Sequence, residues 1–298
     1  MKDFCGLISI VGRPNVGKST LLNRLIEQKV SITSRKSQTT RNNILGIKTK
    51  DNHQMVFIDT PGVHINASKV MNKVLNQSAL GAIEDADLII FMLQRNKINT
   101  LDELILERLK GVETKKICVI NKLDQVASIN SLLPVVEKLR SENDFAEIIP
   151  VSAKTGKNIN ELENMICQNL PENNHLYDSD TKFLAKESFM ISEIIREKII
   201  RFLGEELPHE TYVQLQKLED KENIINIDAE IIVARESQKG IVVGKNGAKL
   251  KKIGEKARID LEKFFNKKVF LKTWVKTKKN WNNDSDFISS LGIGSLYD

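Results

Sequence analysis

Cysteine is scarce in this chain of 298 residues: Cys5, Cys118 and Cys167 are odd in number and widely spaced. That excludes a disulfide scaffold and fits free thiols in a reducing compartment. The four histidines, His53, His64, His175 and His209, form no HExxH-like pair, so no zinc site is expected. Long apolar runs are missing too. Leu88–Leu93 is far short of the roughly 20 residues that cross a bilayer. Near the N-terminus Asp3 interrupts too short an apolar stretch for a signal peptide, and a cytoplasmic protein is expected. There is no internal repeat and no low-complexity tract.

What is present is ordinary globular composition, with 41% hydrophobic and 28% charged residues. The length suggests about two domains. A formal net charge of +6 permits a polyanionic partner without demanding one. From Leu7 to about residue 170, short β-branched runs alternate with amphipathic segments of helical length. The runs are 7–11, 44–49, 55–59, 87–93, 116–120 and 147–151, and several lack polar alternation, as strands buried on both faces do. The pattern predicts an α/β domain over 1–170, a doubly wound and mostly parallel sheet. A polar linker is expected over 171–183. Beyond it the pattern becomes helix, two strands, two helices and a strand: a smaller α+β domain over 184–279, followed by a tail over 280–298.

Gly12-Arg13-Pro14-Asn15-Val16-Gly17-Lys18-Ser19 fits G-x4-G-K-[ST], after an apolar strand and before a helix. Its glycines let the backbone wrap a phosphate, and the helix N-terminus supplies positive potential. Lys18 reaches the β- and γ-phosphates, Ser19 ligates Mg²⁺, and Thr20 completes the set. Asp59-Thr60-Pro61-Gly62 follows a strand, where such sheets bind ligands. Asp59 there can hold Mg²⁺, usually through water, and the Gly62 N–H can sense the γ-phosphate. In Asn121-Lys122-Leu123-Asp124 the carboxylate can accept from guanine N1–H and its 2-amino group, which adenine does not offer. Asn121 is expected to brace the loops and Lys122 to cover the base. Val151-Ser152-Ala153-Lys154 can aim a backbone N–H at guanine O6. Four short motifs in order, each ending a strand, point to a guanine nucleotide. Between the first two lies Ser34–Arg41, where a threonine should close over Mg²⁺; Thr40 is favoured, with Thr39 the alternative.

These residues resemble the translation-factor-related GTPases. Over almost the whole length, GRPNVGKST, QTTR, DTPGVH, NKLD, VSAK and GIVVGKNGAKLKKIGEKAR resemble the Era-type GTPases that carry a C-terminal KH domain. Ser290-Leu291-Gly292 resembles the family's ending. The resemblance implies Mg²⁺-dependent hydrolysis of GTP to GDP, and binding to the 3′ end of 16S rRNA during small-subunit assembly. It further implies peripheral inner-membrane association and a monomer. Val63 stands where Ras-type enzymes have a water-orienting glutamine, so slow intrinsic hydrolysis is expected. Asn15 resembles the asparagine of potassium-stimulated relatives, which makes K⁺ a second expected ion.

The G-x-x-G loop Gly244-Lys245-Asn246-Gly247 lets a phosphodiester backbone pass close between two helices. Gly240, Lys249 and Lys252 are expected beside it as further RNA contacts. Residues 235–279 hold 15 basic against 4 acidic residues, a local excess of 11, whereas 171–234 hold 7 against 14. Two other readings are compatible with the residues: an RNA chaperone with a passive nucleotide site, and a membrane-signalling GTPase whose basic surface meets anionic lipid.

Overall fold

A computed structural model describes residues 2–31, 44–62, 70–203, 210–291 and 293. The predicted Thr40, with its alternative Thr39, Val63 and Gly292 lie outside the described residues. The first unit runs β1 (Phe4–Val11), α1 (Lys18–Ile26), β2 (Ile44–Lys50), β3 (His53–Asp59), α2 (Val70–Glu84), β4 (Leu88–Gln94), α3 (Thr100–Leu109) and β5 (Lys115–Asn121). It continues with α4 (Leu133–Glu142), β6 (Glu147–Pro150) and α5 (Ile159–Asn169). Its sheet has the order β6-β5-β4-β1-β3-β2, parallel except for β2, which runs antiparallel to β3.

The runs without polar alternation are buried on both faces. Along β4, Leu88, Ile90 and Met92 join α1 and α5 in one core, and Ile89, Phe91 and Leu93 join α3 in another. That leaves polar chemistry to the carboxyl ends of the strands, where the loops emerge. The stretch 171–183, expected as a linker, is fastened to the sheet. Gln54 Oε1 accepts from Leu176 N (2.7 Å) and Tyr177 N (3.0 Å), and Ile47 N donates to Lys182 O (2.8 Å). β7 (Phe183–Leu184) then adds to the edge beside β2. A buried glutamine amide with fixed partners has no periodic signature, so only the folded chain reveals this strap.

The second unit runs α6 (Glu187–Phe202), β8 (Thr211–Asp220), β9 (Ile224–Val233), α7 (Glu236–Val243), α8 (Ala248–Phe265) and β10 (Lys268–Thr277). Its sheet order is β10-β9-β8, with β9 parallel to β10 and antiparallel to β8. Ile225, Ile227, Ala229 and Ile231 of β9 pack on Ile195 and Ile199 of α6 and on Ile253, Ala257 and Leu261 of α8. The tail is packed as well. Trp281, wholly buried, and Ile288 of α9 (Ser285–Ser290) form one cluster with Ile232 and Ala234 and with Met71 and Leu75 of α2. The two units therefore share a small apolar core.

Candidate functional site

The predicted loops meet at the carboxyl end of the first sheet. Between β1 and α1, Gly12 has φ 154°, and a Cβ there would lie 2.7 Å from Met92 O. Gly17 has φ 110°, and a Cβ would lie 2.2 Å from Asn121 Nδ2. Both glycines are thus required by left-handed backbone and by close approach. Asn15 also has a positive φ, 65°. Lys18 folds back over the loop, its Nζ donating to Gly12 O (3.0 Å) and Arg13 O (3.3 Å). Burial pushes its ammonium down to about 8, with Asp59 pulling it up and Arg13 adding to the depression. Val16 is wholly buried in the core beneath.

Asp59, at the end of β3, is wholly buried and accepts from Ser31 Oγ at 2.7 Å. Thr60 Oγ1 donates to Ile10 O (2.8 Å), tying this turn to β1. A Cβ on Gly62 would lie 3.0 Å from Pro14, so the Asp-Thr-Pro-Gly turn abuts the phosphate loop. Ser19 and Asp59 are hard oxygen donors. The buried carboxylate sits close enough to Lys18 to act on its charge. Such donors suit Mg²⁺.

At the base end, Asn121 reaches both ways. Its Nδ2 donates to Val16 O (2.8 Å), and its Oδ1 accepts from Ala153 N (3.0 Å). Lys122, in left-handed backbone with φ 65°, donates to Asn15 O (2.7 Å) and to Gln94 Oε1. Ser152 Oγ donates to the exposed Asp124 at 2.6 Å, leaving that carboxylate oriented toward solvent where a base edge can enter. Lys154 is exposed beside it.

Sequence reasoning missed the residues that hold these loops. Asn23 accepts from Val30 N and Ser31 N, both at 2.9 Å, and thereby sets Ser31 on Asp59. Arg13 donates to Asp102 at 3.0 Å, and Asp102 also accepts from Asn99 N in the capping box of α3. Burial raises the Asp102 carboxyl despite these donors. Arg24 donates from α1 to Ala153 O (3.2 Å) and Lys154 O (2.6 Å). Apart from the local capping box and the Asn23 turn, these pairings join residues 28 to 130 apart, for which the sequence carries no local signal.

In the second unit, α7 ends at Gly244 (φ 72°), where a Cβ would sit 2.7 Å from Lys249 Cβ. Asn246 (φ 52°) and Gly247 (φ 76°) are left-handed as well. Asparagine tolerates that region better than most residues, which explains its place in the loop. Lys245 and Asn246 are exposed, and Lys252 lies over the Phe202 ring at 5.2 Å. Gly240 faces open space. The loop presents backbone at the N-terminus of α8, amid lysines, where a phosphodiester can approach.

A P-loop sheet with a guanine-type base loop, joined to a type II KH module, defines the class: a guanine-nucleotide-binding protein with an RNA-binding domain. Residues 7–122 match the family described as 50S ribosome-binding GTPase, and residues 206–282 match the KH domain. GTPase Era of Haemophilus influenzae strain PittGG is 45% identical over 292 residues, 98% of this chain and 97% of that protein. GTPase Era of Coxiella burnetii strain Dugway 5J108-111 is 46% identical over 290 residues, 97% and 98%. The crystal structure of Era in complex with MgGDPNP and nucleotides 1506–1542 of 16S ribosomal RNA superposes with a TM-score of 0.95 at 36% identity, over 99% of this chain and 100% of that one. A variant of Aquifex aeolicus Era bound to GDP·AlF4⁻ gives 0.94 at 36% identity, with the same coverage. The chain belongs to the Era family of GTPases.

Proposed function

We propose that this GTPase is an RNA-binding switch that engages the 3′ end of 16S rRNA in small-subunit assembly, timing binding and release by GTP hydrolysis. The observation that carries the reading is the joint one. A single chain has its nucleotide loops at the carboxyl end of one sheet and a G-x-x-G loop between α7 and α8, and it superposes over 99% of its length on an Era in complex with MgGDPNP and nucleotides 1506–1542 of 16S ribosomal RNA.

In this reading Gly12–Thr20 cradle the phosphates, with Lys18 supplying charge to the β- and γ-oxygens. Thr60, Pro61, Gly62 and Val63 line the γ-phosphate side, and Asn121, Lys122, Asp124, Ser152, Ala153 and Lys154 take the base. Bound Mg²⁺, held by Ser19, Thr40 and Asp59, would neutralise charge developing on the phosphate oxygens. Asn15 would hold K⁺ for the same purpose. The sequence names no general base. Catalysis rests on positioning and charge stabilisation, and it is slow because Val63 cannot orient water. Gly240, Gly244, Lys245, Asn246, Gly247, Lys249 and Lys252 line the RNA path. The functional units are 1–170 and 184–279, linked by 171–183 and followed by 280–298. The protein acts as a cytoplasmic monomer with peripheral association to the inner membrane.

The test is GTP turnover and RNA binding measured with an oligonucleotide of the rRNA 3′ end and with a scrambled one. Selective binding and an altered hydrolysis rate with the first are expected. Equal binding to both, with no change in rate, would overturn the reading.

A further inference from the structure

We infer that Arg24 is a positioning residue for guanine recognition: it holds the loop that meets the base O6 to the same helix that starts at the phosphate site. The inference rests on the assignment of Ser152–Lys154 to the base, made above.

α1 begins at Lys18, and Arg24 lies on the same helix about 9 Å further along its axis. From there the guanidinium spans two successive carbonyls, Ala153 O at 3.2 Å through Nε and Lys154 O at 2.6 Å through NH2. A fork of fixed geometry that binds two adjacent carbonyls sets the orientation of the peptide planes between them. Those planes carry the N–H groups of the base loop. Asn121 grips the same loop from the other side, accepting from Ala153 N while donating to Val16 O of the phosphate loop. Ser152 Oγ on Asp124 closes the third side. The loop is thus clamped between α1 and the Asn121–Asp124 segment. Of the three grips, the one from α1 refers the base loop directly to the helix carrying Lys18. Arg24 touches no part of the base in this arrangement, and its effect is transmitted through the Ala153 and Lys154 peptides.

The loop and Asp124 face different base atoms. Asp124 meets N1–H and the 2-amino group, whereas the loop held by Arg24 meets O6. Loosening the loop should therefore cost every base that bears O6, with or without a 2-amino group, and should not cost adenine, whose 6-amino group offers no acceptor.

The experiment measures GDP, IDP and ADP affinities by competition against a fluorescent GDP, for wild type, Arg24→Ala and Arg24→Lys. In Arg24→Ala the GDP affinity should fall on the order of tenfold, as expected for losing a charged pair of hydrogen bonds at a partly exposed site. The GDP-over-ADP preference should fall by the same factor, with GDP-over-IDP unchanged. Arg24→Lys, able to keep one of the two bonds, should recover part of the loss. A structural role alone would weaken all three nucleotides in equal proportion; that outcome, or an Arg24→Ala protein indistinguishable from wild type, overturns the inference. A wild type that binds GDP and ADP equally would instead overturn the guanine assignment on which it rests.

Discussion

Replacing Trp281 tests whether the tail is a structural part of the molecule. Trp281 is the largest wholly buried side chain. Its ring lies against Tyr212 and Phe287, with centroids at 6.0 and 6.5 Å, and its Nε1 donates to Glu210 O at 3.1 Å. An indole hides about 200 Å², which at about 25 cal/mol per Å² is an upper bound of about 5 kcal/mol. Trp281→Ala adds a cavity between Met71 and Leu75 of α2 and Ile232 of β9, and relaxation is limited because two units border it. The expected loss is about 3–5 kcal/mol. Trp281→Phe keeps much of the apolar volume and should lose about 1–2 kcal/mol, chiefly the hydrogen bond and the smaller ring. Urea unfolding followed by circular dichroism reads the loss. Trp274, the other tryptophan, reports on the second sheet by fluorescence. A loss below about 1 kcal/mol for Trp281→Ala would refute the packing argument, since no wholly buried indole is that cheap to remove.

Two further outcomes follow from the loops. The Lys18 ammonium has a folded-state value of about 8, below its ordinary 10.5, so in the nucleotide-free protein it opposes folding while charged. Its contribution to stability therefore rises as pH climbs through about 8 toward 10.5. Polyphosphate needs the charged form, so GDP binding should take up close to one proton at about pH 9 and almost none at about pH 6.5. Titration calorimetry in buffers of different ionisation enthalpy measures this, and no uptake at the higher pH would contradict the burial argument. Gly244→Ala forces a side chain into backbone at φ 72° and within 2.7 Å of Lys249 Cβ. RNA affinity by filter binding should fall on the order of tenfold, with GTP turnover in the absence of RNA unchanged; wild-type RNA affinity would show that the loop tolerates the strain.

Much of the nucleotide site was legible in the chain because its chemistry is local. Phosphate cradling needs glycines in particular backbone conformations and a lysine one residue past the second, and those needs are written in eight consecutive residues. The same holds for the G-x-x-G loop, whose Gly244 and Gly247 occupy left-handed backbone. Unalternated apolar runs announced strands covered on both faces, and 235–279 announced its positive charge.

The tertiary structure decided what local chemistry cannot encode. The clasp of Ser31 on Asp59, Arg13 on Asp102, and Arg24 on Ala153 and Lys154 are partnerships across 28, 89, 129 and 130 residues. An arginine on a helix face reads as ordinary solvated charge until its partners are known. The strap over 171–183 and the packed Trp281 likewise looked like linker and tail, because their burial comes from another unit's surface. The sequence by itself determined which ligand chemistry this chain can present. Folding decided how firmly each loop is held and how the two units are joined, since long-range contacts have no periodicity from which to be read.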